Sequence, residues 1–153
     1  MTISVKHVNQ LKSAFFYAVE AGTPEKIFSD EIKSLLPKDK ELKILSLGKA
    51  ASSMAEKMAD MNLSQTGIVV TNDENFRHIE NFTCFATGHP FPDKRGLNAA
   101  KKVELFLEEL SEKDHLILLL SGGGSSLLPA PPKGITFKAV SYTHLTLPTS
   151  DLV

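Results

Sequence analysis

Residues 42–61 read LKILSLGKAASSMAEKMADM, a short apolar run that ends in glycine and passes straight into a helical segment. Leu42 to Gly48 has the form of a buried strand, and Ala51, Met54, Met58 and Met61 then fall on one helical face. That methionine face is read as core packing, because unbranched thioethers fill irregular interior space. A strand leading directly into a helix is half of a βαβ unit, so the fold depends on whether the rest of the chain supplies the other halves.

It does so in order. GIVVT, from Gly67 to Thr71, predicts a second strand, and NFTCFATG, from Asn81 to Gly88, a third. PDKRGLNAAKKVELFLEEL then carries Leu97, Ala100, Val103, Phe106, Leu107 and Leu110 on one stripe, with Asp93 placed to cap the helix. LILLL, from Leu116 to Leu120, predicts a fourth strand, and its lack of alternation predicts that both of its faces are covered. Upstream, Leu11, Phe15, Ala18 and Val19 keep helical spacing up to Gly22. Thr23, Pro24 and Glu25 suit the start of a second helix, which runs to about Leu36 and stops before Pro37. Strands alternating with amphipathic helices predict an α/β, Rossmann-like three-layer domain with a mostly parallel sheet.

Composition narrows the partners. With 153 residues, 42% hydrophobic and 23% charged, the chain can bury one core. A formal net charge of -1 with dispersed lysines argues against nucleic acid or an anionic membrane as partner. No apolar stretch reaches bilayer length, and MTISVKHVNQ lacks the apolar core of a secretory signal. The single cysteine, Cys84, is read as packing; without an internal disulfide the chain suits a reducing, cytoplasmic location.

Parallel sheets bind ligands outside the carboxyl ends of their strands. This selects Gly48-Lys49, Thr71-Asn72-Asp73, Gly88-His89-Pro90 and the stretch Ser121 to Ser126, SGGGSS. Three bare glycines let backbone N–H groups converge on an anion, with a helix N-terminus beyond them expected to add its dipole. Lys49 sits where a helix begins, a position unfavourable to a cation unless an anion is brought to it. His89, in the proline-stiffened GHPFPD, is a candidate ligand contact or proton carrier. Asp73 and Asp114 are read as turn residues. The dinucleotide fingerprint fails, because Leu127 stands where its third glycine belongs; the P-loop fails at Lys43 and Ala50. No metal-ligand spacing is present, so no metal site is assigned.

The ordered set LSLGKAASSMAEKM, VVTN, TGHPFPDKRGLNAAKKV and LLLSGGGSSLLPAPPKGIT resembles the N-terminal domain of the glycerate 2-kinase family, whose members often carry the label hydroxypyruvate reductase. The resemblance covers most of residues 5–138. It implies transfer of the γ-phosphoryl group of ATP to the 2-hydroxyl of glycerate, with a divalent metal such as Mg²⁺, in a cleft completed by a C-terminal domain. It implies that Lys49 is the catalytic lysine and that Gly48, Ser121, Gly122, Gly123, Gly124 and Ser125 belong to a phosphate or substrate cradle. His89 is the nearest candidate for a general base. Where the family often has a glycine-histidine loop after the second strand, this chain has Thr71-Asn72-Asp73-Glu74-Asn75, and no function is carried onto those residues.

Residues 1–139 are accordingly expected to be a truncated N-terminal α/β domain, inactive by itself. Residues 140–153 are expected to be a non-native tail, because one choice of codons for VSYTHLTLPT reads through the end of a transposon adapter used in sequencing libraries. Two other functions compete: an NAD(P)H-dependent hydroxypyruvate reductase, against which the failed fingerprint counts, and a non-catalytic sugar-phosphate-binding module.

Overall fold

The computed structural model describes residues 4–61 and 65–146. The chain divides into two compact units, one ending at Leu36 and the other beginning at Pro37.

In the first unit, helix α1 spans Val5–Ala21. It starts earlier than the apolar spacing predicts because Ser4 caps it, its hydroxyl accepting from the His7 amide. Gly22 closes it. Leu11, Phe15 and Val19 are exposed, with no partner among the described residues of this unit to bury them. The single second helix expected up to Leu36 is two: α2, Pro24–Ile27, and α3, Asp30–Leu35. Phe28 leaves the helical region between them, and Ser29, a residue type that favours helix starts, takes extended geometry before α3. Thr23 stands at the start of α2 without capping it, because its hydroxyl donates back to the Glu20 carbonyl at 3.0 Å.

The second unit contains a four-stranded, fully parallel sheet in the order β3-β2-β1-β4. Strand β1 is Glu41–Leu47, β2 Gln65–Asn72, β3 Phe82–Thr87 and β4 Asp114–Leu120. Helix α4, Ala51–Ala59, joins β1 to β2, and α5, Lys94–Glu108, joins β3 to β4. Only a 3-10 turn at Asp73–Asn75 and a loop separate β2 from β3. Two short elements follow: α6, Gly124–Leu127, and α7, Phe137–Thr146. No helix among the described residues is long and apolar enough to cross a membrane.

Because strand side chains alternate, the sheet has two distinct faces. Leu42, Ile44 and Ser46 of β1 point to one, where Ala51, Ala55 and Met58 of α4 are also buried. Leu45 of β1, with Ile68 and Val70 of β2, points to the other and packs with Ala99 and Val103 of α5 and Leu127 of α6. The domain is therefore three-layered, with α4 below and α5 above. The hydroxyl of Ser46, buried under α4, donates to the Ala51 carbonyl at 2.8 Å, which ties strand to helix.

One expectation requires correction here. Strand β4 is not covered on both faces. It lies at the sheet edge, and Leu116, Leu118 and Leu120 are 40%, 56% and 64% exposed. These leucines register with Lys43, Leu45 and Leu47, hence lie on the α5 side, where α5 packs over β3 and β2 and the described residues leave β4 largely exposed. The stretch after Ala139 is helical. Thr136 starts α7 by accepting the Ala139 amide on its hydroxyl, and the Thr143 hydroxyl donates to the Ala139 carbonyl. Helix α7 runs through the expected boundary at residue 140, and residues 147–153 of the expected tail lie outside the described residues.

Candidate functional site

All four strands run the same way, so their exits share one edge. At that edge the chain order reverses between β1 and β4, since β2 and β3 extend the sheet on one side of β1 and β4 joins on the other. Such a switch point opens a crevice between two diverging loops. Here the loops are Gly48-Lys49-Ala50 after β1 and Ser121–Ser126 after β4.

The two loops interlock. Ser121 donates its amide to Leu47 at 2.9 Å, and Lys49 donates its amide to the Gly122 carbonyl at 2.9 Å. The Ala50 amide donates to the Ser121 hydroxyl at 3.0 Å. Gly48, whose own amide donates to Val70, takes φ +121°, and a Cβ there would stand 2.3 Å from Ser121 Oγ. Only glycine fits both the dihedral and the space.

Beyond this interlock the amides of Gly122, Gly123 and Gly124 bond to no acceptor among the described residues. Gly123 takes φ +97°, and a Cβ on it would lie 3.0 Å from His89 Cδ2, 3.1 Å from His89 Nε2 and 3.3 Å from Lys49 Cγ. The glycine loop, the lysine stem and the imidazole therefore meet around one residue, although they follow three different strands. Lys49 is exposed and His89 half-buried. The helix dipole expected beyond the glycines is small, because α6 is a single turn of four residues. What the loop offers instead is three consecutive amides with no acceptor among the described residues. Ser126 is withdrawn from it, its hydroxyl donating to the Gly123 carbonyl at 3.1 Å.

His89 is carried by the turn between β3 and α5, where the His89–Pro90 peptide is cis. Asp93 caps α5 as expected, accepting the amides of Arg95 at 2.8 Å and Gly96 at 3.2 Å. Arg95, which sequence reasoning missed, donates Nε to Asp93 at 2.7 Å and both terminal nitrogens to the Asp73 carboxylate, at 2.6 and 3.0 Å. The loop leaving β2 is thereby clasped to the head of α5. The Arg95 hydrogen bond holds the Asp73 carboxyl below the usual range. For Asp93, partial burial pushes upward, but the Arg95 side chain and the Gly96 and Arg95 amides outweigh it and hold that carboxyl low as well. Arg95 is raised in turn by the two carboxylates. On the far side, the Thr87 hydroxyl at the end of β3 donates to the Leu127 carbonyl at 2.7 Å, anchoring the exit of the glycine loop.

Asp114 closes the turn before β4, accepting both the hydroxyl and the amide of Ser111. Burial pushes the Cys84 thiol up, away from the reactive thiolate. No group of three His, Cys, Asp or Glu side chains among the described residues is placed to hold a metal ion. A cavity of about 460 Å³ opens at the opposite end of the sheet, lined by Lys43, Thr66, Phe106 and Asp114 among others. Its Lys43 is engaged by Glu41 at 2.9 Å and Thr66 at 3.1 Å.

Fold and site together define a parallel α/β domain with a glycine loop and a lysine at the switch point of its sheet. The chain belongs to the family described as Domain of unknown function (DUF4147), which it matches over residues 10–151. It is 29% identical over 136 residues to the glycerate 2-kinase of Pyrococcus horikoshii, covering 82% of this chain and 31% of that protein. To the D-glycerate 2-kinase of Thermotoga maritima it is 32% identical over 123 residues, covering 76% and 29%. A relative from Agrobacterium vitis with a hydroxypyruvate reductase label is 34% identical over 109 residues, covering 67% and 28%. Among solved structures, glycerate kinase from Thermotoga maritima superposes with a TM-score of 0.69 at 29% identity, over 80% of this chain and 30% of that one. The chain thus spans about three tenths of the length of these relatives.

Proposed function

We propose that this chain is the N-terminal part of a glycerate 2-kinase and carries the phosphate-binding half of its active site. Behind this stands one observation: Lys49 and His89 meet around Gly123, in a loop whose Gly122, Gly123 and Gly124 amides bond to no acceptor among the described residues. Phosphoryl transfer depends chiefly on positioning and on neutralising the charge of the transferring group, and both are supplied by a lysine and by fixed N–H donors. Lys49 is the cation that meets the phosphate, the amides of Gly122 to Gly124 and the Ser125 side of the loop cradle its oxygens, and His89 is the candidate base for the sugar-acid hydroxyl. The names of the relatives support glycerate as substrate and a kinase reaction; ATP as donor rests on the family resemblance. The divalent metal that the resemblance implies finds no ligand set among the described residues, so no step is assigned to it here. The remaining contacts belong to a C-terminal domain, residues 1–139 form the native part, and the enzyme is cytoplasmic.

The test is a titration of the ¹⁵N-labelled 153-residue chain with ATP, with NADH and with inorganic phosphate. ATP and phosphate are expected to move the amides of Gly122, Gly123 and Gly124, Lys49→Met to remove the effect, and the chain to turn over no glycerate. Shifts with NADH alone would favour a hydroxypyruvate reductase, the name carried by the Agrobacterium relative. Phosphate binding unaltered by Lys49→Met would favour a non-catalytic module.

A further inference from the structure

Of the residues at the switch point, Ser121 has its hydroxyl turned inward. Its oxygen accepts the Ala50 amide at 3.0 Å and lies 3.4 Å from the Leu47 carbonyl, to which it donates. The same oxygen occupies the space that a side chain on Gly48 would need. The flanking bonds, Ser121 amide to Leu47 and Lys49 amide to Gly122, close the interlock on both sides. The firm contact is the Ala50 amide, which the oxygen accepts, and the hydroxyl faces the Leu47 carbonyl on its other side, so the group is engaged within the interlock.

We propose that Ser121 is a positioning residue, and not a ligand donor: its hydroxyl fixes the Gly48–Ala50 turn and with it the base of the Lys49 side chain. That role acquires its meaning from Lys49 being the phosphate cation, as proposed above. The residue completes the N-terminal boundary of α4, which has no side-chain cap of its own because Ala50 stands at the cap position. Ser121 thus acts as a cap supplied from another strand, and it couples the lysine loop to the glycine loop.

The experiment is carried out on the ligand-free 153-residue chain, so it is independent of whether ATP binds. In Ser121→Ala the Ala50 amide is expected to exchange with solvent about tenfold faster, the order expected for one lost hydrogen bond. The Lys49 side-chain NMR signals are expected to shift with it. Ser121→Thr, which keeps the hydroxyl, is expected to restore both, and Ser121→Cys substitutes for the alanine variant should that one not fold. Unchanged Ala50 exchange in Ser121→Ala overturns the proposal, as does equal loss in the alanine and threonine variants, which would assign the effect to packing. Weaker phosphate binding with Ala50 unchanged would return Ser121 to the ligand. If the wild-type chain binds neither ATP nor phosphate, the kinase reading fails while the Ala50 result still decides the role of Ser121.

Discussion

Strands β1 and β4 are neighbours in register, both are apolar runs and both end in glycine loops that interlock, yet they live in different environments. In β1, Leu42 and Ile44 are 1% and 0% exposed; in β4, Leu118 is 56% exposed. The difference comes from sheet order. β1 has a strand on each side and helices on both faces, while β4 has one neighbour and, on the α5 side, little cover among the described residues. The most direct way to break this comparison is a pair of truncations. Ile44→Ala is expected to destabilise by about 2–5 kcal/mol, the range for emptying a closed core site, and Leu118→Ala by under about 1 kcal/mol, since little area returns to water. Urea midpoints of the two variants measure it, and equal losses would mean that β4 is covered in solution. Leu118→Lys is expected to raise solubility, because a bare apolar edge strand invites pairing between copies.

The loops at the ends of these strands differ in a related way, although both are rich in glycine. Gly48 is locked by its dihedral and by Ser121, whereas a Cβ on Gly122 would find only Lys49 Cε, 4.0 Å away. Gly48→Ala is expected to cost about 1–3 kcal/mol from backbone strain, with the displacement of Ser121 in addition. Gly122→Ala is expected to stay within about 0.5 kcal/mol of the parent in the same unfolding measurement. A Gly122 variant as damaged as the Gly48 one would show that the glycine loop is as tightly held as the lysine turn.

What could be read from sequence follows the same division. The strand-to-helix passage at Leu42–Met61 and the stripe Ala100-Val103-Phe106 mark local elements by their period, and the structure contains them. The motifs at Lys49, His89 and Gly122–Gly124 were legible because strand ends of a parallel sheet must share one edge. Strand order is a tertiary property, and LILLL is compatible with either a central or an edge position, so the exposure of β4 was hidden. The inward turn of Ser121 was hidden for a similar reason: a serine beside glycines looks like a donor until the Ala50 amide, 71 residues away, is placed against it. Arg95 carried no signal beyond standing two residues after a capping aspartate. The break at Phe28 and the helix begun by Thr136 depend on single caps, and periodicity is blind to these.

The smallest expected effect contrasts the two ends of the sheet. At the edge where the strands end, Asp73 is held low by the Arg95 hydrogen bond and charge; at the opposite end, Asp114 is held low first by the Ser111 hydroxyl and amide and last by the charge of Lys43. A carboxylate whose folded pKa is depressed stabilises the fold above its unfolded pKa, near about 3.9, and that contribution disappears as pH falls through the folded value. Both groups should therefore steepen the loss of stability below about pH 4, and Asp73→Asn and Asp114→Asn should each flatten it. Salt separates them. The Asp73–Arg95 pair is exposed and ionic, so added salt should move the Asp73 titration back toward its ordinary value. The bonds from Ser111 are short-ranged and neutral, so Asp114 should respond less. Carboxyl NMR titrations at low and high salt measure both, and an Asp73 that ignores salt would mean that Arg95 holds it by geometry more than by charge, which is how a clasp between two site loops would work best.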